Sequence, residues 1–323
     1  MRTKMSHKKI VVIGGGTGVF TVLTGLKKYF SHLTAIVSMA DSGGSSGVLR
    51  EEFGILPPGD VRRALIALSR TDNKTLAELF NYRFQEGNGL SGHSFGNLMI
   101  TALTRITGNF EKALIEPGKI LQVKGQIIPV TAERSHLFAE LEDGQVIAGE
   151  TNIDVPAHDP TLKIEKVWLE PQAHVTPSAR RAILDADLVI IGPGDLYTSI
   201  VPNLLVGGVS EALRETNARV VYITNVMTKH GETNHFQASN FLRTLEDYVG
   251  HSVIDAVLVN DKIPSFSRLQ AYREEYAEPV VNDLTELKSP QTIARDLIRP
   301  RGYVRHDPDK LAQTIQELAS KSA

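Results

Sequence analysis

The chain contains no cysteine. Disulfides, thiolate metal sites and cysteine nucleophiles are therefore excluded, and the composition suits a reducing cytoplasm. An excess of one charge is missing too. The 35 basic and 37 acidic residues leave a net charge of −2, too weak a field to drive nucleic-acid or anionic-membrane binding. Long apolar runs are also absent. The basic start Met1 to Lys9 is followed only by Ile10 to Ile13 before glycine intervenes, short of the roughly 7–15 residues of a secretory h-region. No stretch approaches the ~20 apolar residues of a membrane span. A cytoplasmic chain with no membrane span and no nucleic-acid partner is expected. No internal repeat or low-complexity linker divides it. Its 323 residues, 41% of them hydrophobic, read as a single α/β domain over 1–323.

One stretch organises what is present. Ile10-Val11-Val12-Ile13 is four β-branched residues in a row, the pattern of a strand buried on both faces. Gly14, Gly15, Gly16, Thr17 and Gly18 break it, and Val19 to Tyr29 continue at helical spacing. In such a turn glycines let backbone N–H groups approach a ligand, and the helix N-terminus favours an anion, most often a phosphate. A second strand, Leu33 to Met39, leads to Asp41, about where a dinucleotide fold carries its ribose-binding acid. Gly43, Gly44, Ser45, Ser46 and Gly47 follow directly. The literal G-x-G-x-x-G fingerprint fails, because its third glycine falls on Val19 or Thr21 depending on register. This weakens a reading as an NAD-dependent oxidoreductase.

Further on, Asp60 reads as the N-cap of a helix to about Arg70, with Arg62 and Arg63 in its first turn, either solvated or facing a phosphate. Lys74 to Gln85 reads as an amphipathic helix. Gly92-His93-Ser94-Phe95-Gly96 matches the G-x-S-x-G elbow of hydrolases, but the glycine-rich approach Glu86 to Ser91 cannot be the strand that motif needs. Ser94 is then a cap for the helix Phe95 to Ile106, with His93 and Asn97 available to a ligand. An antiparallel excursion occupies about 119–170, with strands Ile127–Thr131, Leu137–Leu141, Val146–Ala148 and Ile164–Leu169 and a hairpin turn at Asp143-Gly144.

The α/β rhythm then returns. A Thr176-capped helix precedes the strand Leu188–Ile191, which ends in Gly192-Pro193-Gly194-Asp195-Leu196-Tyr197-Thr198-Ser199. A helix Leu204–Glu215 leads to the strand Val220–Thr224, which ends in Asn225-Val226-Met227-Thr228. A helix Phe236–Tyr248 and a strand Ile254–Val259 follow. A C-terminal helix at about 307–321 carries Leu311, Ile315 and Leu318 for docking or for forming a homo-oligomer. The expected fold is a three-layer Rossmann-like α/β structure: a mostly parallel sheet, helices on both faces and the embedded antiparallel excursion. Its polar and glycine-rich loops all trail strands, where parallel α/β sheets bind ligands. His230, Glu232 and His235 match no established metal-ligand spacing. A Mg²⁺ carried with phosphates and touched by Asp41 or Asp195 is easier to accommodate.

Taken in order, the Gly14–Gly18 and Ala40–Gly47 loops, Pro58-Gly59-Asp60, Gly92–Asn97, Gly192–Ser199 and Asn225–Thr228 with Gly231-Glu232-Thr233 closely resemble the gluconeogenesis factor (YvcK-like) family. That family shares a superfamily with 2-phospho-L-lactate transferase (CofD). The resemblance spans about Lys8 to Val304. It implies a UDP-sugar-binding regulatory protein needed for cell morphogenesis on gluconeogenic carbon, with a protein partner in cell-wall regulation. The alternative it implies is a transferase moving a 2-phospho-L-lactyl group from a GDP carrier to a flavin-like alcohol with Mg²⁺. By position, the two glycine loops would take phosphates and Asp41 the metal or ribose. Asn97, Gly192, Gly194 and Tyr197 would join the nucleotide site, and Asn225, Met227 and Thr228 would line its base or sugar pocket. Asp41, His93 and Asp195 are the candidate catalytic groups. Two departures stand out: Ser42 and Asn234 occupy positions where relatives commonly carry acids. Both weaken metal-assisted transfer more than simple binding.

Overall fold

The computed structural model describes residues 6–69, 74–284 and 289–321. Its strands are β1 (Ser6–Gly14), β2 (Phe30–Val37), β3 (Gln126–Pro129), β4 (His136–Leu141), β5 (Val146–Ala148), β6 (Ile164–Glu170), β7 (Leu188–Ile191), β8 (Arg219–Ile223), β9 (Ala256–Asn260) and β10 (Gln291–Arg295). Seven of them form one sheet in the order β10-β9-β8-β7-β1-β2-β3, parallel at every pairing. β1 lies in the middle, and Ile10 to Ile13 are at most 2% exposed. Alternate residues of a strand face opposite sides, so a run buried throughout requires helices on both faces. Burying each such side chain contributes roughly 1.5–3 kcal/mol, which makes this strand the spine of the fold.

On one face the helix Gly16–Leu26 packs against the helices Gly59–Leu68 and Pro308–Lys321. On the other, Val209–Glu215 packs against Pro177–Leu184 and Ala238–Val249. Leu311 and Ile315 of the C-terminal helix are fully buried. A Cβ added at Gly25 would lie 2.0 Å from the carbonyl oxygen of Pro308, so that helix docks on its own chain through a glycine-width contact. Strands β5-β4-β6 form a separate antiparallel sheet, closed by the turn at Gly144 (φ +85°).

Several local expectations are corrected. Ile127 to Thr131 does not belong to the antiparallel excursion; β3 pairs parallel with β2 as the edge of the main sheet. The helix expected over Leu204–Glu215 is broken into Val201–Leu204 and Val209–Glu215. Gly207 bridges to His174, and Gly208 takes φ +95° against Val175. Asp60 is not an N-cap. Its helix begins at Gly59 after Pro58, without a side-chain cap, because the Asp60 carboxylate accepts the amide of Gly16 instead. The expected end of that helix at Arg70 lies outside the described residues. The segment from Lys74 ends its helix at Asn81 rather than Gln85. Among the described residues no helix is long and apolar enough to cross a membrane.

Candidate functional site

The chain leaves β1 toward β2 and β3 on one side, then returns at β7 on the other side of β1. At such a reversal neighbouring loops diverge and leave a crevice at the carboxyl ends of the strands. Here the loops after β1 and β7 also touch. A Cβ on Gly18 would sit 1.9 Å from the carbonyl oxygen of Pro193, so only glycine lets the first turn of the helix approach the second loop. Gly16 takes φ +62°, the left-handed conformation that glycine adopts without penalty.

A cleft of about 1170 Å³ opens at this point. Gly15, Gly16, Thr17 and Gly18 line it from β1, and Asp41, Gly43, Gly44, Ser45 and Ser46 from β2. Gly194 and Asp195 reach it from β7, Asn225, Met227 and Thr228 from β8, and Asn97 from its own helix. Gly14, Gly47, Gly192, His93 and Tyr197 stand behind the surface. Gly47 is held against the carbonyl of Ser42, and Tyr197 is buried with its hydroxyl directed at the carbonyl of Ile164. Ser94 is fully buried and caps its helix by accepting the amide of Asn97 at 3.3 Å. It has no strand before it, so the hydrolase elbow is not formed.

The floor of the cleft is acidic. Burial first, then the nearby Asp41, pushes Asp60 up to about 6, against Arg63 and the Gly16 amide. Burial and Asp41 likewise push Glu150 up to about 7, against the amide of Ser42. Glu150 accepts that amide at 3.2 Å. It arrives from the short helix Glu150–Asp154 that follows β5, and brings a carboxylate beside Asp41 from a distant part of the chain. The position after Asp41 is Ser42, whose hydroxyl accepts the Thr151 amide at 3.0 Å. Asn234, the other departure, holds its own loop by donating to the carbonyl of Pro160 and accepting from Gly231.

A second charged cluster closes the far side. Lys229 Nζ lies 3.0 Å from Glu232 and 3.2 Å from Asp195, and also contacts Asp154. Burial opposes the Lys229 charge, but these three carboxylates outweigh it and raise its pKa. Burial, with Asp195 and Asp154, raises that of Glu232 against the pull of Lys229. Carboxylate oxygens of Asp154, Asp195 and Glu232 lie within 4.8 Å of one another, and the ammonium supplies the cation among them. His230 and His235 do not join Glu232: the first packs against the Tyr276 ring at a tilt of 31°, and the second pairs with Glu278 at 3.0 Å.

Beyond these charges the cleft becomes apolar and aromatic, with Val226, Met227, Tyr272, Tyr303 and Val304. Buried polar atoms face the same end. His306 Nε2 and Asn225 Oδ1 have no hydrogen-bond partner among the described residues. Burial pushes His306 down to about 4, so the imidazole is neutral near pH 7. Sequence reasoning missed Glu150, Asp154 and His306 as cleft residues. No local signal marks them, since each reaches the cleft through tertiary pairing.

The family model for 2-phospho-L-lactate transferase CofD matches residues 10–298. The gluconeogenesis factor of Halalkalibacterium halodurans is 43% identical over 97% of each chain. That of Bacillus subtilis is 43% identical over 96% of this chain and 98% of its own. The chain belongs to the gluconeogenesis factor family. A solved structure of a UPF0052 family member from Bacillus halodurans superposes on this family member with a TM-score of 0.91 and 42% identity, covering 97% of this chain and all of that one. In this family member the CofD-type match runs from within β1 through β10, so both glycine loops, the acidic floor, Met227 and Tyr272 lie inside it, while Tyr303, Val304 and His306 lie beyond its end.

Proposed function

We propose that this gluconeogenesis-factor family member is a nucleotide-sugar sensor that binds a UDP-sugar without turnover and governs cell morphogenesis on gluconeogenic carbon through a protein partner. The observation that carries the reading is the two-part cleft. One end holds two glycine-lined helix N-termini with Arg62, Arg63 and Arg83, and the other holds Met227, Tyr272 and Tyr303. The first end suits a diphosphate, and the second an aromatic ring with polar edges, met by Asn225 and His306. Regulation without turnover requires only that the ligand favour one conformation over another.

A Mg²⁺ bound with the diphosphate fits the donors present. Asp41, Asp60 and Glu150 are hard oxygen ligands, and burial first, then the nearby Asp41, raises both Asp60 and Glu150. Asp41 and Asp60 would hold the ion, which would screen charge between the acidic floor and the phosphates. The chain's own part would be to fix the phosphates on the amides of Thr17–Gly18 and Gly44–Ser46, the Gly16 amide being taken by Asp60. Calorimetry with UDP-N-acetylglucosamine and UDP-glucose, with and without Mg²⁺, tests the reading, and absence of heat with either sugar removes it.

A second reading is favoured by the CofD match together with this acidic floor: transfer of a 2-phospho-L-lactyl group from a GDP carrier to a flavin-like alcohol. Phosphate positioning would then carry the catalysis, with Asp195 close to the acceptor. Product formation from a GDP-linked donor and a deazaflavin alcohol would establish it in place of the sensor.

A further inference from the structure

We propose that His93 is a positioning residue that sets the direction of the Ser45 hydroxyl, so that an anion of the phosphate class in the cleft is registered as a proton on His93 Nδ1. The inference rests on the reading of Gly43–Gly47 as a phosphate loop.

The argument starts at Arg62, whose guanidinium can only donate. Its Nε donates to Asn97 Oδ1 at 2.9 Å, and Nη1 donates to Asn81 Oδ1. The Asn97 amide is thereby oriented, oxygen toward Arg62 and nitrogen away from it. That nitrogen lies 3.1 Å from Ser45 Oγ, so Ser45 accepts from Asn97 and its single proton must point elsewhere. His93 Nδ1 lies 3.0 Å from the same oxygen. Arg62, Asn97, Ser45 and His93 are all buried, so bulk water does not replace any partner freely. The His93 main chain is anchored as well: its amide donates to the Leu90 carbonyl at 3.0 Å, and its carbonyl accepts from the Phe84 amide at 2.9 Å.

Two proton arrangements remain. With Nδ1 bare, Ser45 donates inward to it and offers the cleft only a lone pair, which repels a phosphate oxygen. With Nδ1 protonated, the ring donates to Ser45, which then holds two inward donors and turns its own proton toward the cleft. The ionised oxygens of a phosphate accept and carry no proton to donate, so an ionised oxygen at Ser45 selects the second arrangement through differential affinity. The Ser45 O–H bond is kept and only rotates. The proton on Nδ1 is the ring's own, moved from Nε2, or one taken up from solvent. His93 does not line the cleft and acts through Ser45 alone.

The test uses the full chain labelled with ¹⁵N-histidine and inorganic pyrophosphate as the probe, with binding followed by calorimetry in the same buffer. The His93 Nδ1 resonance, assigned by its loss in His93→Gln, is expected to move from the bare to the protonated range as pyrophosphate saturates. In Ser45→Ala the resonance should stay still, and pyrophosphate should bind on the order of tenfold more weakly. Pyrophosphate bound with Nδ1 unmoved overturns the relay, as does a shift that survives Ser45→Ala. Absence of pyrophosphate binding overturns the phosphate-loop reading itself, and the relay with it.

Discussion

Gly18→Ala puts the switch-point packing under the most direct strain. The added methyl would meet backbone atoms, the Pro193 oxygen at 1.9 Å and its carbonyl carbon at 2.5 Å. Ordinary contact begins near 3.4 Å, so one loop must retreat by the difference, about 1.5 Å. No flexible side-chain end is there to yield. Overpacking a well-packed site costs about 1–3 kcal/mol, and backbone on the receiving side puts this change near the upper end, about 3 kcal/mol. For a chain of this size the melting temperature should fall on the order of 5 °C. Gly44→Ala is the matched control. Nothing lies within 4 Å of its added Cβ, and only its φ of +45° opposes the change, at a cost of about 1 kcal/mol. Urea and thermal unfolding of both variants decide the matter. Equal losses in the two, or a Gly18→Ala protein within about 0.5 kcal/mol of the parent, would refute the claim that these loops are in backbone contact.

Three further outcomes are expected. Lys229→Ala leaves three carboxylates without their cation and should cost about 3 kcal/mol at pH 8 and less at pH 5, where protonation relieves the repulsion; a loss independent of pH would count against the cluster. Glu150, pushed from the ordinary 4.5 to about 7, gives a contribution present below pH 4.5 and lost as pH rises through about 7. Glu150→Gln should therefore gain on the parent in melting temperature between pH 5 and pH 8, and a constant difference would contradict the assignment. Gly25→Ala drives a methyl into the Pro308 carbonyl at 2.0 Å and should undock the C-terminal helix, seen as faster proteolysis after residue 307. Unchanged proteolysis would show that the contact relaxes cheaply.

The spine of the fold was legible because its signals are local. A β-branched run, a glycine turn and a resumed helical period lie within 21 residues, Lys9 to Tyr29. The loops trailing β2, β7 and β8 were legible for the same reason. Other features depend on partners far along the chain. Asp60 has the residue type and setting of an N-cap, yet the Gly16 amide, brought near by the sheet, takes its carboxylate. β3 carries the same apolar residues whether it joins the small sheet or the large one, and only its pairing with β2 decides. β10, Gln291-Thr292-Ile293-Ala294-Arg295, lies at the sheet edge with Gln291 and Arg295 exposed, so it has no buried run to announce it. Glu150 beside Asp41 and His93 beside Ser45 are separated by 109 and 48 residues, distances over which sequence pattern carries no information.

The five-residue helix Glu150–Asp154 is anchored at both ends, by Ser42 on the β2 side and by Lys229 on the β8 side. It is a bridge between the two halves of the sheet that diverge at β1 and β7. Any compound that draws the Lys229 ammonium toward its own negative charge loosens one pier while leaving the other standing. The small β-sheet grows from the same segment and buries Leu137, Ala139, Val167 and Leu169 in the main core, so one short stretch of chain ties both ends of the cleft to the body of the fold.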